Sequence, residues 1–430
     1  MRKNWIIALL LLPTLCVEAQ SIRLTRYDAP NALYLNADRL YNFNMYERSR
    51  FELGLIWVSP NETAALRRGD SPTVRKPFLG QWTLTPYVAY GTGDHEWKYG
   101  LGTMLRLPRP HGVRLVLWAY NDLERAASRR LNSYRMLMPS MNDGIVTSRF
   151  VGVKGGSFDA CVRLRYGWDV QLGALQTWED YRFDFAGMFY LKEQPARQAE
   201  TKAFTELRSR IEWQKVLTFS LRAGRVQFED GKKKIDNYQG TGAKAQVSSL
   251  KAQSYYWQAL AQYDADIDKT GLHIFGQVGF ASKEAPYSRM FDLSGTAYAM
   301  YFFKNSFITV RPNTFTANMF AHICLNYTAP LPLWELSWSA PHPFLQVNAM
   351  WGHLLGQDAQ GQRLWEGLPL QSPNKGLLEP ATGFDRLVHW GLLDIGFGVA
   401  YQICPVSANY IYDNIEDNIA FTIVADFILK

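Results

Sequence analysis

The side chains best suited to chemistry are charged residues that recur at every second position. Residues 205–213, TELRSRIEW, alternate uncharged with charged residues, and CVRLRYGW sets two arginines out of phase with its apolar residues. Successive side chains of a β-strand point to opposite faces, so these charges would share one face of each strand. They would attract anions along a channel, or pair with one another inside a closed lumen. The lumen-facing candidates are Arg163, Arg165, Glu206, Arg208, Arg210, Glu212 and Arg222.

No other group of residues has the spacing of a catalytic or metal site. Asp264, Asp266 and Asp268 in DADIDKTG have the spacing of the first three ligands of a calcium loop, but Lys269 replaces the glycine and Phe275 the glutamate. We therefore expect a polar turn there. The seven histidines are scattered, and neither H-E-x-x-H nor G-x-S-x-G occurs. The sequence predicts no catalytic residue, no cofactor and no metal site.

The elements that carry the charged residues are predicted to be β-strands. Apolar and polar residues alternate over about ten positions at a time, repeatedly from residue 48 to residue 429, as in FTANMFAHICLNY and AFTIVADFILK. Segments of this length and period are typical of transmembrane strands. The count of such segments predicts an all-β fold, a transmembrane antiparallel β-barrel of about 14 to 16 strands. Residues 354–388 are predicted to be one of several long polar connections.

The hairpin LTPYVAYGTGDHEWKYGLGTMLRL indicates which face meets lipid. Trp97, Tyr99 and Leu101 share one face, and Lys98 and Arg106 share the other. A soluble β-sandwich would alternate in the same way. The chain has 14 Trp, 23 Tyr and 24 Phe, many of them near predicted strand ends, which favours a lipid interface. We expect Leu101 to face lipid and Lys98 the interior, so that Leu101→Arg blocks assembly whereas Lys98→Glu is tolerated.

The first residues predict export. MRKNWIIALLLLPTLCVEAQ has two basic residues, a short apolar run and a small-x-small cleavage site. We predict a signal peptide over residues 1–19 for the general secretory pathway, a short N-terminal arm over residues 20–47, and a barrel over residues 48–430. The net charge of +7 is spread along the chain, apart from a short lysine run at 232–234, so nucleic acid is not an expected partner.

The order of motifs resembles a family of Gram-negative outer-membrane proteins. YGTGDHEWKYG and RPNTFTANMF are its most specific pieces, and LWAYNDLER, LRAGRVQF and GLLDIGFGVAYQI fit the same series of strands. Members of this family pair an N-terminal carboxypeptidase-regulatory-like domain with a C-terminal barrel of unknown function. We expect that N-terminal domain to be absent here. The resemblance implies an outer-membrane barrel and carries over no catalytic residue.

Three functions stay open on these grounds. The first is a non-enzymatic, porin-like barrel for solute passage or envelope maintenance through a polar lumen. The second is a closed barrel whose long loops act as a surface adhesin or a partner-binding platform, and the third is an outer-membrane hydrolase. Expected partners are outer-membrane lipid and lipopolysaccharide, the barrel-assembly machinery during biogenesis, and a small solute or a periplasmic protein.

Overall fold

The computed structural model describes residues 32–35, 41–44, 47–59, 81–107, 113–125, 150–164, 168–182, 202–214, 217–229, 233–238, 243–247, 251–267, 270–293, 307–310, 315–331, 336, 338–356, 363–365, 368–390, 393–403 and 418–427. The predicted signal peptide lies outside these residues. Within them, no helix has the length and apolar character needed to cross a membrane.

The described strands, in chain order, are β1 (Ala32–Leu35), β2 (Tyr41–Asn44), β3 (Arg48–Val58), β4 (Gln81–Gly91), β5 (Trp97–Arg106), β6 (Val113–Arg125), β7 (Phe150–Arg163), β8 (Trp168–Arg182), β9 (Lys202–Gln214), β10 (Leu217–Glu229), β11 (Lys233–Tyr238), β12 (Ala243–Val247), β13 (Lys251–Ile267), β14 (Thr270–Ala281), β15 (Phe291–Asp292), β16 (Thr316–Ala317), β17 (Met319–Thr328), β18 (His342–His353), β19 (Arg363–Trp365), β20 (Leu368–Leu370), β21 (Leu377–Trp390), β22 (Leu393–Tyr401) and β23 (Ile419–Phe427).

One 17-stranded antiparallel sheet contains the long strands. From β3 onward each long strand pairs with the next long strand along the chain, ending with β22 and β23. Strands β1 and β2 pair with different halves of β3, so together they occupy one strand position in the sheet. The 17 strands therefore occupy 16 positions. Within the described residues no ladder joins β23 to β1 or β2. The fold is that of a transmembrane antiparallel β-barrel, and the predicted strand number is confirmed.

The sheet begins inside the predicted N-terminal arm. Ala32 lies opposite Val58, and Asn44 lies opposite Arg48, so both ends of β3 have partners that precede residue 48. Each of these two partner strands is only four residues long. Four residues are too few for the ten-residue alternation by which transmembrane strands are found in a sequence.

Strand β21 corrects the predicted connection over residues 354–388. It starts at Leu377 and pairs with β18, and only residues 354–376 connect the two. Pro380 lies inside it, opposite Val347. Proline lacks a backbone N–H and normally argues against a central strand, and Glu379 interrupts the apolar residues beside it, so the strand pattern was hidden.

Most connections at one end of the sheet are short and most at the other end are long, with residues 59–80 and 92–96 as exceptions. Only residues 215–216 separate β9 from β10, and only residues 268–269 separate β13 from β14. At the opposite end, residues 126–149, 282–318 and 354–376 separate β6 from β7, β14 from β17, and β18 from β21. We call these the short-turn end and the long-loop end.

Large apolar side chains cover the outward face of the sheet, and many of the buried inward positions carry polar side chains. Trp97 is 62% exposed, Leu101 is 50% exposed, and Lys98 between them is 3% exposed. The same alternation holds in β17, where Ile323 is 60% exposed and His322 is 2% exposed. The predicted orientation of the opening hairpin is therefore confirmed, with Leu101 outward and Lys98 inward.

The variant Leu101→Arg is expected to fail in membrane assembly. Leu101 lies in the middle of β5 and faces outward, where an arginine at the bilayer midplane costs about 2–4 kcal/mol. The matched control is Met104→Arg on the inward face of the same strand. Heat-modifiable migration of membrane fractions on a gel measures assembly, and equal assembly of both variants would contradict the orientation.

Candidate functional site

The connection between β14 and β17 folds into the barrel. We call residues 282–318 the insert; its described parts are residues 282–293, 307–310 and 315–318. Its two ends meet at a narrow neck, because the Ala281 amide donates to the Asn318 carbonyl at 2.7 Å. The Asn318 side-chain amide also donates to the Ser282 carbonyl at 3.1 Å. The insert is therefore an excursion that leaves the pairing of β14 with β17 unbroken.

An apolar cluster packs the insert against the inward face of the barrel. Hydrophobic side chains drive this placement, because burying each large one stabilises the folded state by about 1.5–3 kcal/mol. The insert contributes Ala285, Tyr287, Met290, Phe291, Leu293, Phe307, Val310, Phe315 and Ala317. The strands contribute Val151, Val153, Val226, Tyr256, Ala281, Phe320, Met350 and Leu377, with Tyr120 packed beside them. Because these strands run from β6 to β21, the described parts of the insert lie inside the lumen at the long-loop end.

Glu379 of β21 anchors one part of the insert. Its carboxylate accepts hydrogen bonds from the backbone amides of Ile308, at 2.9 and 3.0 Å, and of Thr309, at 2.7 Å. The Thr309 hydroxyl donates to the same carboxylate. Glu379 is fully buried, so these donors replace the water that its charge would otherwise require. Hydrogen bonds to a charged group are worth roughly 1.5–3 kcal/mol each.

Arg289 anchors another part of the insert to a different wall. A short 3-10 turn, Tyr287–Arg289, follows Pro286 and is buried throughout. The Arg289 guanidinium pairs with Glu179 of β8, and both side chains are almost fully buried. Breaking such a pair from one side leaves an uncompensated buried charge, which costs about 3–5 kcal/mol. The insert is thus held at two separate strands, β8 and β21.

Uncharged polar side chains occupy the inward face near the insert. They are Gln258, Gln277, His322, Asn326, Gln346 and Asn348, and all are buried. His322 lies between the rings of Phe307 of the insert and Phe275 of β14, at 5.2 and 5.5 Å between centroids. Both side-chain polar atoms of Gln258 lack a hydrogen-bond partner among the described residues.

A charged cluster lies on the inward face of the first strands, and of its members only the inward Lys98 was predicted from the sequence. It consists of Glu47, Arg50, Glu52, Tyr87, Asp94, Lys98 and Asp122.

The cluster is centred on one arginine and one lysine. Arg50 donates two hydrogen bonds to Asp122, at 2.5 and 2.9 Å, and one to Glu52 at 2.9 Å. Lys98 contacts Glu47 at 2.8 Å and also pairs with Asp94. Arg50 and Asp122 are 72 residues apart in the sequence, so spacing could not reveal the pair.

The structure describes the side chains of only two of the seven predicted lumen-facing residues, Arg163 and Arg222. Arg163 ends β7 and pairs with Asp169 of β8 through two hydrogen bonds, at 2.8 and 2.7 Å. The Arg222 guanidinium lies over the Tyr256 ring at 5.6 Å. Arg165 lies outside the described residues, as do the side chains of Glu206, Arg208, Arg210 and Glu212 on β9. The seven residues stay a prediction as a lumen lining.

The aspartates of DADIDKTG lie at the short-turn end. Asp264 and Asp266 belong to β13, and Asp268 lies outside the described residues. Asp264 contacts His273 and accepts a 2.5 Å hydrogen bond from Gln262. No cluster of three or more acidic, histidine or cysteine residues suited to a metal is present in the part of the chain that the structure describes.

No protein-family model matches the chain, and no curated protein matches it, so the family resemblance stays a prediction. The chain matches two solved structures, BamA from Haemophilus ducreyi lacking POTRA domains 1-3 and CdiB from Escherichia coli. The BamA structure has 10% sequence identity and a TM-score of 0.50 and covers 90% of this chain and 69% of its own. CdiB has 10% identity and a TM-score of 0.39 and covers 90% and 61%. At this identity the BamA likeness shows the fold alone, which is that of an outer-membrane β-barrel.

Proposed function

We propose that this chain is a non-enzymatic outer-membrane barrel that passes small polar solutes when the insert leaves the lumen. The observation that carries the proposal is the insert itself, whose described parts pack inside a barrel of porin size at the long-loop end. Outer-membrane lipid and lipopolysaccharide would surround it, and the barrel-assembly machinery would insert it. Neither a solute nor a periplasmic partner is identified by the geometry.

The contacts of the insert support a gate. Two polar anchors, Glu379 and the Arg289–Glu179 pair, fix it to separate walls, and its neck is closed by hydrogen bonds of Asn318. Movement of the insert would therefore leave the strand ladder intact. The uncharged amides beside it suit a neutral polar solute, since amides both donate and accept hydrogen bonds.

Other features argue against the rival functions of the lumen. Arg163 is paired with Asp169, which does not favour an anion pore lined by unpaired arginines. His322 is enclosed between two phenylalanine rings and is 2% exposed, which supports a structural role rather than catalysis.

A permanently closed barrel that displays its long loops is the second candidate. The size of the apolar cluster favours it, because a cluster that spans the lumen stabilises the closed state strongly. Conductance separates the two candidates, since only a gate opens when one anchor is weakened.

The variant Glu379→Gln is expected to raise the open probability in a planar bilayer. The glutamine keeps one acceptor oxygen, loses the charge, and turns a donor toward the Ile308 and Thr309 amides. A loss of about 1.5–3 kcal/mol raises the open fraction roughly 10- to 100-fold.

The matched control is Asp264→Asn, which removes the same charge at the short-turn end, where Asp264 contacts His273. It should leave conductance unchanged. A folded Glu379→Gln protein as silent as the parent, under an applied voltage of either sign, would favour the closed barrel.

A further inference from the structure

A groove of about 550 Å³ lies on the outward face of the sheet at the long-loop end. Its walls are Ile323 of β17, Trp351 of β18, Leu378 of β21 and Ile403 after β22, all of which are exposed. Its floor is low because Ala321 and Ala349 stand where neighbouring positions carry large side chains. Small-molecule sites have volumes of about 300–1,000 Å³, so the groove is large enough to hold part of a ligand.

The register shows why the groove forms here. Ala321 lies opposite Trp351, and Ile323 lies opposite Ala349, so each alanine faces a large side chain on the next strand. Ala349 in turn lies opposite Leu378, which bridges to Ile403. Outward positions elsewhere in these strands, such as Leu325 and Leu345, carry larger side chains. The groove is thus a local hollow in an otherwise raised apolar surface.

One rim of the groove carries a basic residue, Lys375, on a turn of the chain that a hydrogen bond holds in place. The Trp351 indole donates a 2.9 Å hydrogen bond to the Asn374 carbonyl. Gly376 turns the chain with φ +86°, a conformation that favours glycine. Lys375 lies between Asn374 and Gly376 in the sequence, is exposed, and lines the groove. Tryptophan at this level is typical of a membrane–water interface.

We propose that this groove binds one acyl chain of lipopolysaccharide, with a lipid phosphate against Lys375. Bacterial barrels have short periplasmic turns and longer extracellular loops, which places the groove in the outer leaflet. The groove complements a lipid with an anionic headgroup, because its apolar floor can contact the acyl chain while the lysine at its rim contacts the headgroup. The groove opens away from the lumen, and the residues that line it do not include those that anchor the insert.

Native mass spectrometry of the intact, detergent-purified protein with added bisphosphorylated lipid A tests the site. The comparison ligand is the same lipid without phosphates. The parent protein should retain one lipid A and prefer it to the dephosphorylated form by about fivefold, the effect of one lysine near an anionic surface. Lys375→Gln should abolish that preference.

A pair of alanine variants tests the hollow. Ala349→Trp fills the floor and should lower lipid A retention on the order of tenfold, the effect of leaving two methylene groups unburied. Ala119→Trp, at an exposed outward position of β6, is the control and should not change retention.

Two results would overturn the proposal. One is equal retention by the parent, Ala349→Trp and Lys375→Gln, which would mean that lipid binds the whole surface without a site. The other is a change of oligomeric state in Ala349→Trp with unchanged lipid A retention, which would assign the groove to a second copy. Conductance should not change in any of these variants. Lipid retention therefore tests the proposed lipid site separately from the proposed gate.

Discussion

Replacing residues 284–316 with a short Gly-Ser linker is expected to turn a silent or rarely open barrel into one with long-lived open steps. This change removes most of the residues that the insert contributes to the apolar cluster, together with both anchors, Arg289 and the Ile308–Thr309 segment bound by Glu379. The two anchors alone are worth about 3–6 kcal/mol if each contributes as a hydrogen bond to a charged group. The open fraction should therefore rise at least roughly 100-fold in planar-bilayer recordings.

The neck makes this deletion feasible. Phe280 lies opposite Met319, and the Ala281 amide bonds to the Asn318 carbonyl, so both ends of the insert sit one strand spacing apart. A few flexible residues span that distance, and the ladder between β14 and β17 should persist. Heat-modifiable migration on a gel checks that the deletion variant still forms a barrel.

A second loop supplies the control. Residues 230–250 connect β10 to β13 at the same end, and Glu229 lies opposite Lys251, so the same linker in place of residues 231–249 closes this loop equally well. Its removal should leave conductance as in the parent. A folded barrel that lacks residues 284–316 and stays silent would show that the insert is not what blocks passage.

Strand positions could be predicted because the lumen and the lipid impose opposite demands on neighbouring residues. In β17, Ile323 and Leu325 face outward while His322 and Asn326 are buried inward, and FTANMFAHICLNY shows that alternation directly. Strand β21 was missed because Pro380 and the buried Glu379 break the pattern. Glu379 breaks it for a structural reason, since it holds the insert.

The insert and the charged cluster could not be predicted because their contacts join residues far apart in the sequence. Thr309 and Glu379 are 70 residues apart, and a single sequence does not say which loop enters the lumen. Phe315 and Ala317 of the insert continue the apolar alternation of β17 in FTANMFAHICLNY, so the strand pattern did not show where the insert ends. The sequence led instead to charged residues of β9 and to Arg163, whose partner, Asp169, was not foreseen.

The variant Lys98→Glu is expected to destabilise the barrel strongly, which reverses the tolerance expected from the sequence. Lys98 points inward as predicted, but it is 3% exposed and lies between the carboxylates of Glu47 and Asp94. The substitution puts a third carboxylate between these two, close to the carboxylates that bind Arg50. Removing one partner of a buried pair costs about 3–5 kcal/mol, and the added repulsion increases that cost.

The temperature at which the compact gel band converts to the unfolded band measures this loss. Lys283→Glu is the matched control, because it makes the same charge change at a side chain that is 71% exposed, where an ion pair is worth little. The double variant Lys98→Glu with Glu47→Lys should recover part of the stability, and only part, because Glu47 also faces Arg50 at 3.5 Å. Equal transition temperatures for Lys98→Glu and Lys283→Glu would mean that Lys98 is solvated by an open lumen. Such a result would count against the buried cluster.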